Sequence, residues 1–262
     1  MTGKISALDY AFAVGRVRAL ENYLISYQVF QEAAEAGTSD QALEVISDAG
    51  NFGEDLLAVK DAEELDKVLL KEKMSLDSTL GELFLEKELY HYYLAGDNPA
   101  EMVQQLNSCQ NIFIKDYFKL RLDLANLKLF LRCRYLELPR SRFEENFLPG
   151  GWLEKKTLVE NYESSLEELY QNFAQSQYIE LWKLATEFLA SNESFVILER
   201  EIENLSLNYL QQAKRITFGP EPLLAYGLAK SHELKLVRIV LAGKFLQLPV
   251  SILKERISQT YV

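Results

Sequence analysis

The chain has 262 residues, 48% of them hydrophobic, which is enough apolar material for a sizeable core and excludes wholesale disorder. A net charge of −11 argues against a general nucleic-acid binder, and six prolines with twelve glycines punctuate too sparsely for an all-β chain. No run approaches the roughly 18 apolar residues of a membrane span. One of the longest apolar helices, Leu236 to Leu248, is broken by Arg238, Lys244 and Gln247.

In chain order, Met1 to Val14 carries Lys4 and Asp9 and lacks the long apolar run of a signal peptide. Val17-Arg18-Ala19-Leu20 opens an apolar and basic helix, and Phe30 to Gly37 reads as a short helix closed by glycine. Thr38 with Gln41 caps the next helix, and Asp61 caps one through Leu70 with Glu64 in the reciprocal position. Glu88-Leu89-Tyr90-His91 matches Glu-x-x-His once, whereas a di-metal bundle needs two such motifs and two further glutamates. Asn98-Pro99 is an N-cap followed by proline in the first turn. Cys109 and Cys133 fall on separate helical segments and read as small apolar thiols of a reducing compartment. Leu158 to Phe173 and Tyr178 to Leu189 show the apolar spacing of helices, and Glu193 to Ile216 continues it.

A weak internal repeat is the most informative pattern. Leu127-Lys128-Leu129-Phe130-Leu131 aligns with Val237-Arg238-Ile239-Val240-Leu241, and the same register pairs Leu136 with Leu246, Leu138 with Leu248 and Pro139 with Pro249. Each copy reads as an amphipathic helix, a Leu-x-Leu-Pro turn and a short second helix. Proline ends the first helix because it lacks an N–H and restricts the residue before it. Ser141 with Glu144 then has the pattern of an N-cap. The opening segment matches as a weaker third copy. The expected fold is all-α, with two or three related helical-bundle modules in a pseudo-symmetric arrangement. Expected boundaries are an N-terminal module over 1–110, a middle one over 111–213 and a C-terminal repeat over 214–262, which the N-terminal helix would complete.

Charge follows the repeat. Residues 111–142 and 214–262 each hold eight basic and three acidic side chains, +5 apiece, leaving −21 on the remainder. Two basic helical regions on an acidic body suggest an interaction surface, for which Arg132, Arg134, Arg238 and Lys244 are the candidates. The alternative is a set of solvated faces neutralised by nearby acids. No phosphate-binding glycine loop and no nucleophile elbow occur. His91 and His232 are the only histidines, and there is no Cys/His cluster spaced for zinc. No catalytic residue, cofactor or metal ligand is assigned.

Several segments resemble the family of C-type subunits of V/A-type rotary ATPases, whose eukaryotic vacuolar counterparts are the d-type subunits. They are Asp9 to Glu21, Leu122-Asp123-Leu124-Ala125-Asn126-Leu127-Lys128, and Leu148-Pro149-Gly150-Gly151-Trp152-Leu153. The C-terminal stretch follows, from Phe218-Gly219-Pro220-Glu221-Pro222 through Gly243-Lys244 and Leu248-Pro249 to Tyr261-Val262. The resemblance implies a funnel-like, non-catalytic connector on the cytoplasmic face of the membrane, between the central-stalk subunits and the membrane rotor ring. Relative to that family the chain reads as shorter by one helical module before Asp123. A generic helical adaptor unrelated to ATPases is the alternative.

Overall fold

The computed structural model describes residues 5–50, 52–173, 176–192 and 195–262, so the expectations resting on Met1 to Lys4 and on Glu193 lie outside the described residues. Among the described residues there are fourteen α-helices and no strand, as the helix-forming composition requires. They are α1 (Ala11–Glu21), α2 (Tyr27–Glu35), α3 (Ser39–Ala49), α4 (Ala62–Leu83), α5 (Lys87–Ala95), α6 (Pro99–Gln105) and α7 (Ile112–Tyr135). The second half holds α8 (Arg140–Asn146), α9 (Lys155–Glu160), α10 (Leu166–Asn172), α11 (Ile179–Asn192), α12 (Val196–Leu210), α13 (Glu221–Phe245) and α14 (Val250–Arg256).

Short polar side chains start many of these helices by pairing N–H groups that no helix can satisfy internally. Thr38 Oγ1 accepts from Gln41 N at 3.2 Å, and Asp61 Oδ1 accepts from Glu63 and Glu64 N at 2.9 Å. Asn98 caps α6 ahead of Pro99. The helix begun at Asp61 runs to Leu83, well beyond Leu70, because buried Leu69, Leu76 and Leu80 extend its apolar face. Glu64 reaches back to Lys60 N rather than to the cap itself.

Two sequence readings are corrected. Ser141 is not an N-cap: α8 starts directly after Pro139, whose restricted φ presets its entry, and Glu144 pairs with Arg140. The segment from Leu158 to Phe173 is two helices, because Ser165 and Glu168 form a reciprocal capping box and begin α10 afresh.

The contacts divide the chain into two compact units, Met1–Leu94 with Leu207–Val262, and Ala95–Ser206. In the first, α13 is buried nearly all round and packs on α1, α2, α3 and α4. Phe30, Ile46, Leu65, Val237, Leu241 and Leu253 lie together in a buried apolar cluster there. In the second, Phe130 of α7 meets Phe143 edge-on at 5.3 Å, Tyr162 at 5.6 Å and Trp182 at 5.7 Å.

Gly227 lets α13 approach its neighbours: a Cβ there would stand 2.5 Å from both Leu80 and Tyr93 side chains. Gly227→Val is expected to destabilise the protein by about 2 kcal/mol despite valine's better helix propensity, because the core must overpack. Urea unfolding of the full chain checks this.

Candidate interaction surface

The two aligned turns share one backbone design. Helix α7 ends at Leu136 with φ −84° and ψ 7°, and α13 ends at Leu246 with φ −81° and ψ 1°. The next residues, Glu137 and Gln247, are left-handed at φ 52° and 54°. Leu138 N donates to Cys133 O at 2.8 Å, and Leu248 N donates to Gly243 O at 2.9 Å. Glu137 N and Gln247 N donate to Arg134 O and Lys244 O, both at 3.0 Å. This pair of reversed bonds is the Schellman ending, which satisfies carbonyls left over at a helix terminus. Pro139 and Pro249 then launch α8 and α14. The weaker opening copy lacks this ending: the turn between α1 and α2 has no residue at positive φ.

Each turn displays a leucine. Leu136 is 59% exposed and Leu246 is 69% exposed, with Leu138 and Val250 exposed beside them in sequence. An open groove of ≈ 1130 Å³ runs along the second turn, lined by Lys244 to Val250 and by the starts of α3 and α4.

The four candidate cations are placed differently. Arg132 is exposed, lies over the Phe195 ring at 5.3 Å and pairs with Glu199 at 2.7 Å, an acid it shares with Lys128. Arg134 is half-buried over the Phe130 ring at 5.7 Å. Burial pulls its basicity down, opposed by Glu163, and its Nη1 has no hydrogen-bond acceptor among the described residues. Arg238 is exposed and grips Asp66 with two bonds, 2.7 and 3.0 Å, which hold the Asp66 carboxyl below its ordinary range. Lys244 donates to Ala36 O, and burial lowers its affinity for the proton.

Behind the turns lie polar groups that inspection of motifs did not single out as a set. In the repeat register Asp123 matches Glu233, and both are buried acids that accept loop N–H groups. Asp123 accepts from Trp152 N and Leu153 N at 3.0 Å and from the Tyr178 hydroxyl at 2.8 Å. Glu233 accepts from Ile25 N at 2.6 Å and pairs with Lys230. Asn126 exchanges two bonds with the Leu148 backbone, at 2.7 and 2.9 Å, while His232 meets Ser258 Oγ at 2.7 Å. Leu148 and Ser258 are themselves equivalent in the repeat. Gly151 permits the Asp123 clamp, since a Cβ there would stand 1.9 Å from Asp123 Oδ1.

Among the described residues no group of three or more His, Cys, Asp or Glu side chains is disposed to hold a metal. His91 is exposed, and Glu88 accepts instead from the Tyr92 hydroxyl. Cys109 and Cys133 are buried thiols. No helix among the described residues is long and apolar enough to cross a membrane.

The family model described as ATP synthase (C/AC39) subunit matches residues 75–256, more than half of the chain, which therefore belongs to that family of V/A-type ATP synthase subunits. No curated protein matches the chain.

The turns and the clamps can each be tested by substitution. Glu137→Gly and Gln247→Gly are each expected to stabilise the chain by up to about 1 kcal/mol, since glycine adopts the left-handed region without a Cβ penalty; thermal unfolding reads this. Burial holds the Asp123 and Glu233 carboxyls above their ordinary values, against the hydrogen bonds and Lys230, which act the other way. The native state then keeps protons that the unfolded chain has released. Their contribution to stability is therefore greatest below the unfolded value of about 4 and falls as pH rises through the raised native values. Asp123→Asn is expected to flatten this limb of the stability profile while costing about 1–3 kcal/mol for a loop N–H left unpaired.

Proposed function

We propose that this member of the ATP synthase (C/AC39) subunit family is a non-catalytic connector, seated at the cytoplasmic face of the membrane between the central stalk and the rotor ring. Family membership makes the chain a subunit of a rotary V/A-type ATPase, and ion transport and ATP synthesis fit that family. The connector role is our reading of the matched turns: two long helices end in the same Schellman geometry, each displaying a leucine, with Arg132 and Arg134 in the last turn of α7 and Lys244 in that of α13. An apolar anchor rimmed by charge suits docking onto acidic partner surfaces. Arg132, Arg134, Arg238 and Lys244 are the proposed rim.

Leu136 and Leu246, exposed apolar side chains at the two turns, favour the reading most, whereas Arg134 Nη1 is buried and beyond a partner's direct reach. Arg132 and Arg238 contribute through ion pairs already formed on the surface, whose acids fix where each guanidinium is presented. Transmitting torque asks a connector for stiff helices rather than an active site, and the two longest helices, α7 and α13, supply them. The family match leaves a helical adaptor unrelated to ATPases without support.

The test is recovery of stalk and ring subunits with the tagged chain across a range of salt concentrations. Leu136→Glu with Leu246→Glu is expected to lower recovery at least about tenfold at all salt concentrations. Arg132→Glu with Arg134→Gln, or Arg238→Glu with Lys244→Gln, is expected to lower it mainly at low salt, where charge steers association. Full recovery with every one of these variants would remove the turns from the interface.

A further inference from the structure

A cleft of ≈ 150 Å³ opens on the first unit, lined by residues of α1, α4 and α13. Helix α13 packs against both other helices and supplies Tyr226 and Lys230, one helical turn apart. Glu72, Ser75 and Thr79 are spaced three and four residues apart on one face of α4, and Arg16 comes from α1. Tyr226 and the Lys230 side chain are buried, while Arg16 and Ser75 are exposed at the rim.

Most of these polar groups have no task inside the fold. Tyr226 is only 6% exposed, yet its hydroxyl makes no hydrogen bond among the described residues. A buried hydroxyl costs free energy when it is left unpaired, so this one marks a place for an outside partner. Burial, then the charges of Glu233, Glu21 and Glu72, hold its pKa above the ordinary value, so it stays protonated and can donate. The Ser75 and Thr79 hydroxyls likewise make no hydrogen bond among the described residues.

The charges are arranged in the same way. Arg16 and Glu72 line one cleft but form no ion pair with each other or with any described residue. Lys230 differs, because Glu233 neutralises it and it lies over the Phe52 ring at 4.8 Å. Among the described residues the cleft therefore offers one available cation and one available anion, with hydroxyls beside them.

That combination selects the ligand. Glu72 repels a simple anion and Arg16 a simple cation, whereas a molecule carrying one charge of each sign satisfies both. Size limits it as well, since a cavity of about 150 Å³ admits a molecule the size of benzene, with about six non-hydrogen atoms. Small amino acids have that size and that charge pattern.

We infer that this cleft binds a small zwitterionic amino acid, whose carboxylate is held by Arg16 and the Tyr226 hydroxyl and whose ammonium is held by Glu72 with Ser75 and Thr79. A ligand bound there ties α1 to α4 beside α13 and stabilises the chain by mass action. The inference does not rest on the connector role.

The test is calorimetric titration of the full chain with L-alanine, beside acetate, methylammonium and glycerophosphoethanolamine, which carries the zwitterion of a lipid headgroup. L-Alanine is expected to bind saturably with a Kd of about 1 mM or below and to raise Tm as its concentration rises. Acetate and methylammonium each satisfy one charge and are expected to bind at least about tenfold more weakly. Arg16→Gln and Glu72→Gln are each expected to weaken L-alanine binding at least about tenfold. Without ligand, both variants are expected to keep Tm within about 2 °C of wild type, since neither side chain has an ion pair to lose. Tyr226→Phe is expected to weaken binding about fivefold without lowering that Tm, since its hydroxyl has no internal hydrogen bond to lose. No saturable binding of L-alanine, equal binding of acetate, or tighter binding of glycerophosphoethanolamine would each overturn the inference. So would a clear fall in the unliganded Tm of both charge variants, the sign that Arg16 and Glu72 close on each other. These variants leave the two turns intact, so recovery of stalk and ring subunits still judges the connector role separately.

Discussion

Buried carboxylates that satisfy loop backbone are the constraint on which this architecture depends. A helix end or a tight loop carries N–H groups with no partner in regular structure, and water cannot reach them once the loop is packed. Asp123 takes two such groups and a tyrosine hydroxyl from its place on α7. Glu233, at the equivalent place on α13, takes the N–H of Ile25 from the segment between α1 and α2. Both are desolvated in doing so, and their raised proton affinities record it. Without these acids the long helices would still bury apolar surface, but the N–H groups of Trp152, Leu153 and Ile25 would lose these acceptors.

The repeat is therefore maintained within the chain as a mechanical unit rather than as a sequence. Its visible letters are the Leu-x-Leu-Pro turn, whose residues set backbone geometry directly: proline presets the start of the next helix, and the preceding left-handed residue closes the Schellman bonds. The second tie differs in position as well as in chemistry, since Asn126 falls on Leu236 and His232 on Leu122 in the repeat register. Asn126 holds the Leu148 backbone with its amide, whereas His232 holds Ser258 through a side chain. Different donors and acceptors reach the same end, which is to tie the segment after the short helix back onto the long one.

That difference explains what was legible in the sequence. The all-α class follows from composition and periodicity, and the caps at Thr38, Asp61 and Asn98 follow from side chains that act within three residues of themselves. The Leu-Pro turns were legible for the same local reason. Ser141 misled because its neighbour Pro139 had already set the entry to α8, and a serine inside a first turn looks the same in sequence as one that caps it. The break at Ser165 was hidden under an unbroken apolar period. Asp123 stood in the Leu122 to Lys128 segment that carries the resemblance, but its task and that of Glu233 were not legible, since their partners lie up to 208 positions away. Arg238 and Asp66, 172 positions apart, are a similar case: the cation was readable and the acid that orients it was not.

Those pairings also change what the two basic regions mean. A formal +5 on each suggests a strong field, yet Lys128 and Arg132 share Glu199, Arg121 faces Glu203, Arg238 holds Asp66 and Lys254 holds Glu35. Much of the positive charge is neutralised within a few ångströms, so little of it projects beyond a screening length of about 8 Å. The docking proposed for each turn then depends first on its exposed leucine for affinity, with the cations setting orientation at short range. Arg134 is the exception, because its buried Nη1 lacks a compensating acceptor. Glu163 is the acid that acts on it through space, while the guanidinium lies over the Phe130 ring.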